Sequence, residues 1–473
     1  MSLDNTQSIV EDSPITSELI QKYEKLFTLT PEKMRSIVDA FVETLKRGLE
    51  QYGQVVPMIP AFVFGWPTGE ETGDYLALDL GGTNLRVCLV TLSGGGKFDI
   101  KQKKYRLTEE QKQMEGSLLF DFCADSLSAF LESAQAEGTI KAGAELPMGF
   151  TFSYPCQQDR IDHGILIRWT KGFGNPNVEG FDVTQLFADS LKKHNVPVSL
   201  TALVNDTTGA LIASHYTNPR TRIGVILGTG CNAAYAERVG NIPKMKDLGI
   251  PDDTLMSINC EWGAFDSFEH KHLPRTKYDE IIDLTSNKPH EQAFEKCISG
   301  RYLGEIFRLV MKELIDEGVI FLGKDTSKLN EEYCFDTAYL STMESDMTPE
   351  LLTIVSVFSQ HYKIETTLAE RQFFKALANL IGTRSARLAS CGMAAIVKKL
   401  DILDEGCSIG IDGSLYDMYP GFKERIHEGL TDIFGEKGKN VVTHHAEDGS
   451  GLGSAIIAAM TKTRKDKGFF TNL

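Results

Sequence analysis

A carboxylate, two adjacent glycines, a hydroxyl, an amide and a guanidinium fall close together in LALDLGGTNLRVCLV, residues 76–90. The flanking residues are the Val, Leu and Cys of a buried strand pair, so the polar set sits at its tip. Adjacent glycines let a backbone approach a ligand and turn N–H groups into a concave nest. Asp79, Gly81, Gly82, Thr83, Asn84 and Arg86 together offer what a polyphosphate with Mg²⁺ requires. They supply backbone and hydroxyl donors, a fixed positive charge, and a carboxylate for a metal-bound water. The competing interpretation is a tight turn that needs glycine only for its shape, with Arg86 paired to Asp79.

A second Gly-Thr-Gly turn, Gly228, Thr229 and Gly230, lies in RIGVILGTGCNAAYAERV (222–239). It loosely matches a dinucleotide fingerprint, but a strand follows it, and that fingerprint needs a helix. DGSGLGSA (448–455) does precede a helix, yet too little chain remains for a βαβ unit. A GxxxxGK[ST] loop is absent, so a nucleotide site here is not of the P-loop type. In VNDTTG, Asn205 and Asp206 end a buried strand. Asp206 is placed for a general base, although capping the helix that follows is the commoner role for an Asp before Thr-Thr-Gly. Ser153, Thr170, Lys171, Glu261 and Glu295 are hydroxyl, cation and carboxylate groups of the kind that suit a polyol. Each alone is also an ordinary loop or helix residue. His270 with His272, and His444 with His445, lack ligand spacing and are expected at the surface, so no direct metal ligand is assigned.

These groups need elements to position them. TLTPEKMRSIVDAFVETLKRGLEQY reads as a helix, with Thr30 as cap, Pro31 at its first position, and Met34, Ile37, Val38, Phe41, Val42 and Leu45 as one apolar stripe. Residues 55–74 are rich in Pro and Gly and read as a connector. YLALDL, LRVCLVTL and KFDIKQKKYRL form a β-meander, and 118–135 a helix. Residues 146–155 and 198–206 read as strands, and 280–400 as mostly helical. Segments 406–430 and 441–462 are each strand, turn, helix. The two strand–glycine–strand hairpins head separate β-then-α regions. They predict two related α/β domains facing one cleft.

The chain has 473 residues, more than one simple core holds, with 42% apolar and 24% charged residues. Its net charge of −16 opposes non-specific binding to nucleic acid or anionic membrane. Nine scattered cysteines without a CxxC pair indicate free thiols. There is no secretory leader and no apolar run of about 18 residues, so the expected location is cytoplasmic.

In chain order, LDLGGTNLRV, GFTFSYPCQQDRIDHGILIRWTKGF, VNDTTG, LGTGCNAAY, INCEWGAFDS, AFEKCISGRYLGEIFR, IDGSLYDMYPGFKE and AEDGSG resemble the hexokinases of eukaryotic type, in the single-unit fungal size class. The likeness runs from about 17 to 465. It implies a two-domain actin-like ATPase fold of the ribonuclease H-like class, with the ligand cleft between a small and a large domain. The expected division is a disordered tail at 1–16, a large domain at 17–71 and 206–455, and a small domain at 72–205 and 456–473. The resemblance implies γ-phosphoryl transfer from MgATP to the 6-hydroxyl of a hexose, glucose first, with Asp206 as base and the sugar driving cleft closure. Ser153, Thr170, Lys171, Asn205, Asp206, Asn232, Glu261 and Glu295 would hold the sugar, and Lys171 and Arg86 would serve catalysis. Asp79, Gly81, Gly82, Thr83, Asn84, Arg86, Gly228, Thr229, Gly230, Gly413 and Ser414 would surround MgATP, with Mg²⁺ reached through water on Asp79. Cys231, in the phosphate turn, would be open to oxidation. The implied partners are the hexose and MgATP, with the chain a monomer or homodimer. The alternatives are a hexose sensor of the same fold, and another actin-like ATPase.

Overall fold

The computed structural model describes residues 15–141 and 143–473. The tail expected at 1–16 lies outside this range except for its last two residues, and there Thr16 caps a helix, Ser17–Phe27.

Two sheets organise the chain. The first is built from β2 (Thr72–Leu80), β3 (Asn84–Gly94), β4 (Lys97–Arg106), β5 (Leu146–Thr151) and β8 (Val198–Val204), in the order β4-β3-β2-β5-β8. The second runs β1-β11-β10-β9-β12-β13, from β1 (Ile59–Phe64), β9 (Thr221–Leu227), β10 (Cys231–Arg238), β11 (Leu255–Asn259), β12 (Cys407–Asp412) and β13 (Val441–His445). Setting β1 aside, the two are the same construction. Three antiparallel strands form a meander, and its first strand is then flanked by two parallel strands. A small hairpin, β6 (Cys156–Arg160) with β7 (His163–Leu166), stands apart.

Strand β2 is buried on both faces, as a central strand between helical layers must be. Leu76, Leu78 and Leu80 enter a core with Phe120, Phe150 and Phe187, while Tyr75 and Ala77 enter the larger core. Helix Asp206–Thr217 packs on β9, and helix Ser454–Asp466 packs on β2, β5 and β8. The helix Pro31–Glu50 forms as its sequence dictates: the Thr30 hydroxyl accepts from Lys33 N at 3.2 Å, and its apolar stripe is buried against the helix Leu368–Leu400. That long helix also carries Arg384, which is fully buried and held at 2.7 Å on both oxygens of Asp279.

The connector expected at 55–74 is corrected: it contains β1, paired antiparallel with β11. Pro57 and Pro60 hide the strand, and left-handed backbone at Met58 just before it and at Phe62 within it interrupts its regularity. No helix among the described residues is long and apolar enough to cross a membrane.

Candidate active site

The helix that begins at Asp206 fixes the centre of the site. Asn205 is its cap, accepting Thr207 N–H at 2.9 Å, so the capping role considered for Asp206 falls to its neighbour. Asp206 takes the first helical position. Its Oδ1 accepts from the N–H and hydroxyl of Thr207, at 2.7 and 3.1 Å, and its own N–H donates to Ser153 Oγ at 3.3 Å. Strand β8 delivers this pair, and the chain leaving β5 delivers Ser153.

Across from them, the start of β10 and the end of β11 place an amide and carboxylate cluster. Asn232 Nδ2 donates to Glu261 Oε1 at 2.9 Å and to Asn259 Oδ1 at 2.8 Å, while Asn259 Nδ2 donates to Glu261 Oε1 at 2.9 Å. Glu261 has φ of 53°, a conformation that costs a non-glycine residue of order 1 kcal/mol and aims its carboxylate inward. Burial pushes its carboxyl up, its Asn259 hydrogen bond pulls it down, and the charge of Asp206 pushes it up again. Glu295, on the short helix Ala293–Ile298, accepts Cys231 N–H at 2.9 Å. Burial raises it as well, against that hydrogen bond. A Cβ on Gly230 would stand 2.7 Å from Glu295 Oε2, so a side chain there would displace that carboxylate.

A cavity of about 390 Å³ opens onto Ser153, Asn205, Asn259 and Glu261, walled by Phe268 and Gln292. That size falls within the roughly 300–1,000 Å³ of small-molecule sites. Thr170 and Lys171 stay at its edge rather than in its wall. Lys171 Nζ donates to Ser153 O at 2.9 Å and lies over the ring of Tyr154. Its side chain also touches the glycine turn, since a Cβ on Gly82 would meet it at 3.3 Å.

The two glycine turns lie at the ends of corresponding strand pairs. Gly81 N donates to Asn84 O at 3.0 Å, leaving Thr83 and Asn84 exposed at the tip. Gly228 N donates to Gly230 O at 3.0 Å, and the turn is braced from behind by Gly300 N on Gly228 O at 2.8 Å. Gly413 packs against the same turn, followed by exposed Ser414. A second cavity, about 480 Å³, opens between Thr229, Ser414, Thr337, Tyr333 and Met418.

Arg86 does not have Asp79 as its main partner. Its Nη1 and Nη2 each donate at 2.7 Å to Asp448, and Asp79 stands 3.6 Å away. Asp448 also accepts Gly451 N–H at 2.9 Å, and Thr151 Oγ1 donates to Ser450 O at 2.9 Å. The turn 448–451 is therefore fastened to the sheet that carries the first glycine turn. Asp448 had no assigned role in the sequence, and neither did Asp412. Asp412 ends β12, and burial raises its carboxyl within reach of Asp206 and Asp448. Asp79 is pushed up to about 6 by burial, partly offset by Arg86 and reinforced by Asp206.

Two further expectations change. Cys231 is buried and its thiol is pushed well up by burial, so it is not the reactive thiolate that oxidation requires. Of the four histidines expected at the surface, only His445 is exposed. His270 joins His290 and Asp283 instead.

Two family models described as hexokinase match residues 19–216 and 222–460. A hexokinase of Kluyveromyces lactis is 48% identical over 455 residues, covering 94% of this chain and 93% of that protein. Hexokinase-1 of Saccharomyces cerevisiae is 46% identical over 457 residues, covering 95% and 93%. Among solved structures, the hexokinase from Schistosoma mansoni complexed with glucose superposes with a TM-score of 0.83 at 34% identity, covering 93% of this chain and 98% of that one. These relatives lend no support to a sugar sensor.

Proposed function

The chain belongs to the hexokinase family and phosphorylates a hexose with ATP; on that premise we propose that Asp206 is the general base on the 6-hydroxyl. The observation that carries this is its position. It follows the cap of a helix at the junction of both sheets, hydrogen-bonded to Ser153, and its charge reaches Asp79 on one side and Glu261 on the other.

The sugar lies in the cavity beside Ser153, Asn205 and Glu261, with Asn232, Glu295, Thr170 and Lys171 completing its hydrogen bonds. Glucose is the first candidate, because the Schistosoma mansoni enzyme is complexed with it. The phosphates of ATP lie between the turns Gly81–Gly82–Thr83–Asn84 and Gly228–Thr229–Gly230, and the adenosine in the second cavity beside Gly413 and Ser414. The charge of Asp206 raises the carboxyls of both Asp79 and Asp412, beside Asp448, whose two oxygens are held by Arg86. That concentration of hard oxygen donors fits Mg²⁺, which prefers carboxylates, phosphates and water. Asp79 would hold it through water, and bound there it would neutralise charge on the phosphates.

In the reaction, Asp206 takes the proton of the 6-hydroxyl as its oxygen bonds to the γ-phosphorus. The bond from that phosphorus to the bridging oxygen breaks, and ADP leaves. Lys171, beside the first glycine turn, faces the charge of the transferring group. The protein's work is positioning and electrostatics. The large domain comprises 17–71 and 206–455, the small one 72–205 and 456–473. Their closure over the sugar keeps water from accepting the phosphoryl group. The enzyme works in the cytoplasm.

The test is product formation from glucose and MgATP by the parent and by Asp206→Ala. General-base catalysis contributes roughly 10²–10⁴-fold, so the variant should lose turnover to that extent while glucose binding by calorimetry persists. A variant keeping more than about a tenth of the rate overturns the assignment.

A further inference from the structure

His270 and His290 stand outside the cleft, behind the loops that wall the sugar cavity. His270 Nε2 lies 3.4 Å from His290 Nδ1 and 3.6 Å from Asp283 Oδ2, and His290 Nδ1 lies 3.5 Å from the same oxygen. The three ligand atoms make a nearly regular triangle. Zinc bonds to imidazole of about 2.0–2.1 Å at tetrahedral angles put neighbouring ligand atoms about 3.4 Å apart. We propose that His270, Asp283 and His290 form a binding site for one transition-metal dication of the zinc class, with its fourth position left to water.

Two imidazoles and one carboxylate select such an ion over Mg²⁺ or Ca²⁺, which prefer oxygen alone. The carboxylate is already oriented. Asp283 Oδ1 accepts from Lys296 Nζ at 2.7 Å and from His290 N at 2.9 Å, and Oδ2 accepts from Arg275 Nη2 at 3.0 Å. Such outer hydrogen bonds fix a ligand's orientation. Their two positive charges also repel a dication, and His270 Nδ1 has no hydrogen-bond partner among the described residues. The site is therefore exchangeable, and the fold stands without its metal.

Both histidines are held in left-handed backbone, with φ of 51° and 70°. The carbonyl of His290 accepts Phe268 N–H at 2.9 Å, and Phe268, Glu291 and Gln292 all face the sugar cavity. A bound metal would tie the helix Lys277–Thr285 to both loops that form this wall.

The experiment titrates CoCl₂ into the purified full chain without nucleotide and follows visible absorption. The expected result is one saturating equivalent with the strong d–d bands of tetrahedral Co²⁺, without the charge-transfer bands of a thiolate, and displaced by ZnCl₂. His290→Gly suits the backbone at that position and removes one ligand, so it should weaken binding tenfold or more. His270→Asn, also tolerant of positive φ, should weaken it comparably. Hexose turnover of His290→Gly without added metal, within twofold of the parent, reports an intact fold. Absence of saturable binding in the parent, unchanged binding in both variants, or thiolate bands would each overturn the site.

Discussion

Asp79, proposed to hold Mg²⁺ through water, carries a pH signature that reaches the physiological range. Its folded value of about 6 lies above the 3.8 of a free aspartate, because burial disfavours the charge more than Arg86 restores it. The folded chain thus holds this proton more tightly than the unfolded one does. The resulting stabilisation is full below about pH 4 and is lost as pH rises through about 6. Asp79→Asn stays neutral throughout, so without ligand it should be more stable than the parent at pH 8, by on the order of 1 kcal/mol. Denaturant titration should show the gap closing toward pH 4. Function should respond in the opposite direction. The proposed Mg²⁺ water shell needs the ionised carboxylate, so the parent's KM for MgATP should rise as pH falls from 7 to 5.5. The variant's KM should be high and flat. A variant with unchanged KM for MgATP would remove Asp79 from the nucleotide site.

At the scale of elements, the glycine turns depend on how strand ends meet. Gly413 has φ of 131°, and a Cβ there would stand 2.3 Å from Leu227 O. Backbone against backbone cannot yield as a flexible side chain would. Gly413→Ala should therefore part the end of β12 from the turn at 228–230. The expected loss is about 1–3 kcal/mol of stability, with a raised KM for ATP and a smaller effect on glucose binding. Equal stability and unchanged kinetics would show that the turn does not depend on that contact. The same elements show what was legible in the sequence. Both glycine hairpins were, because strand alternation and paired glycines are local signals. So was the helix at 31–50, whose cap and stripe lie within it. Strand β1 was not, because its prolines read as a breaker while its pairing with β11 is made by residues nearly two hundred positions away. Asp448 was missed for the same reason. It is 362 residues from Arg86, and nothing local distinguishes it from any Asp before glycine. Asn205 and Asp206 were legible as a pair, but only the backbone decides which one caps.

Over the whole molecule, the proposed closure has a contact that can be weighed. Arg168 precedes the Trp169–Thr170–Lys171 run, in the proposed small domain, and Glu291 lies on the other wall of the cavity. Their side chains approach to 3.5 Å across the cavity mouth. Both are substantially exposed, with side-chain exposures of 44% and 35%. An exposed ion pair is worth about 0–1 kcal/mol, so this one biases closure without driving it. The sugar's hydrogen bonds to groups on both sides must supply the rest. Glu291→Gln should therefore raise the KM for glucose by no more than about fivefold and leave kcat unchanged. The parent's KM should drift toward the variant's as ionic strength approaches 1 M, where charges are screened within about 3 Å. Background ATP hydrolysis without sugar gives the sharper reading. If the pair helps hold the walls together, that hydrolysis should fall in Glu291→Gln. A variant that changes kcat and KM together would instead mean that Glu291 acts on the bound sugar itself, and the closing force would have to be sought elsewhere along the cleft.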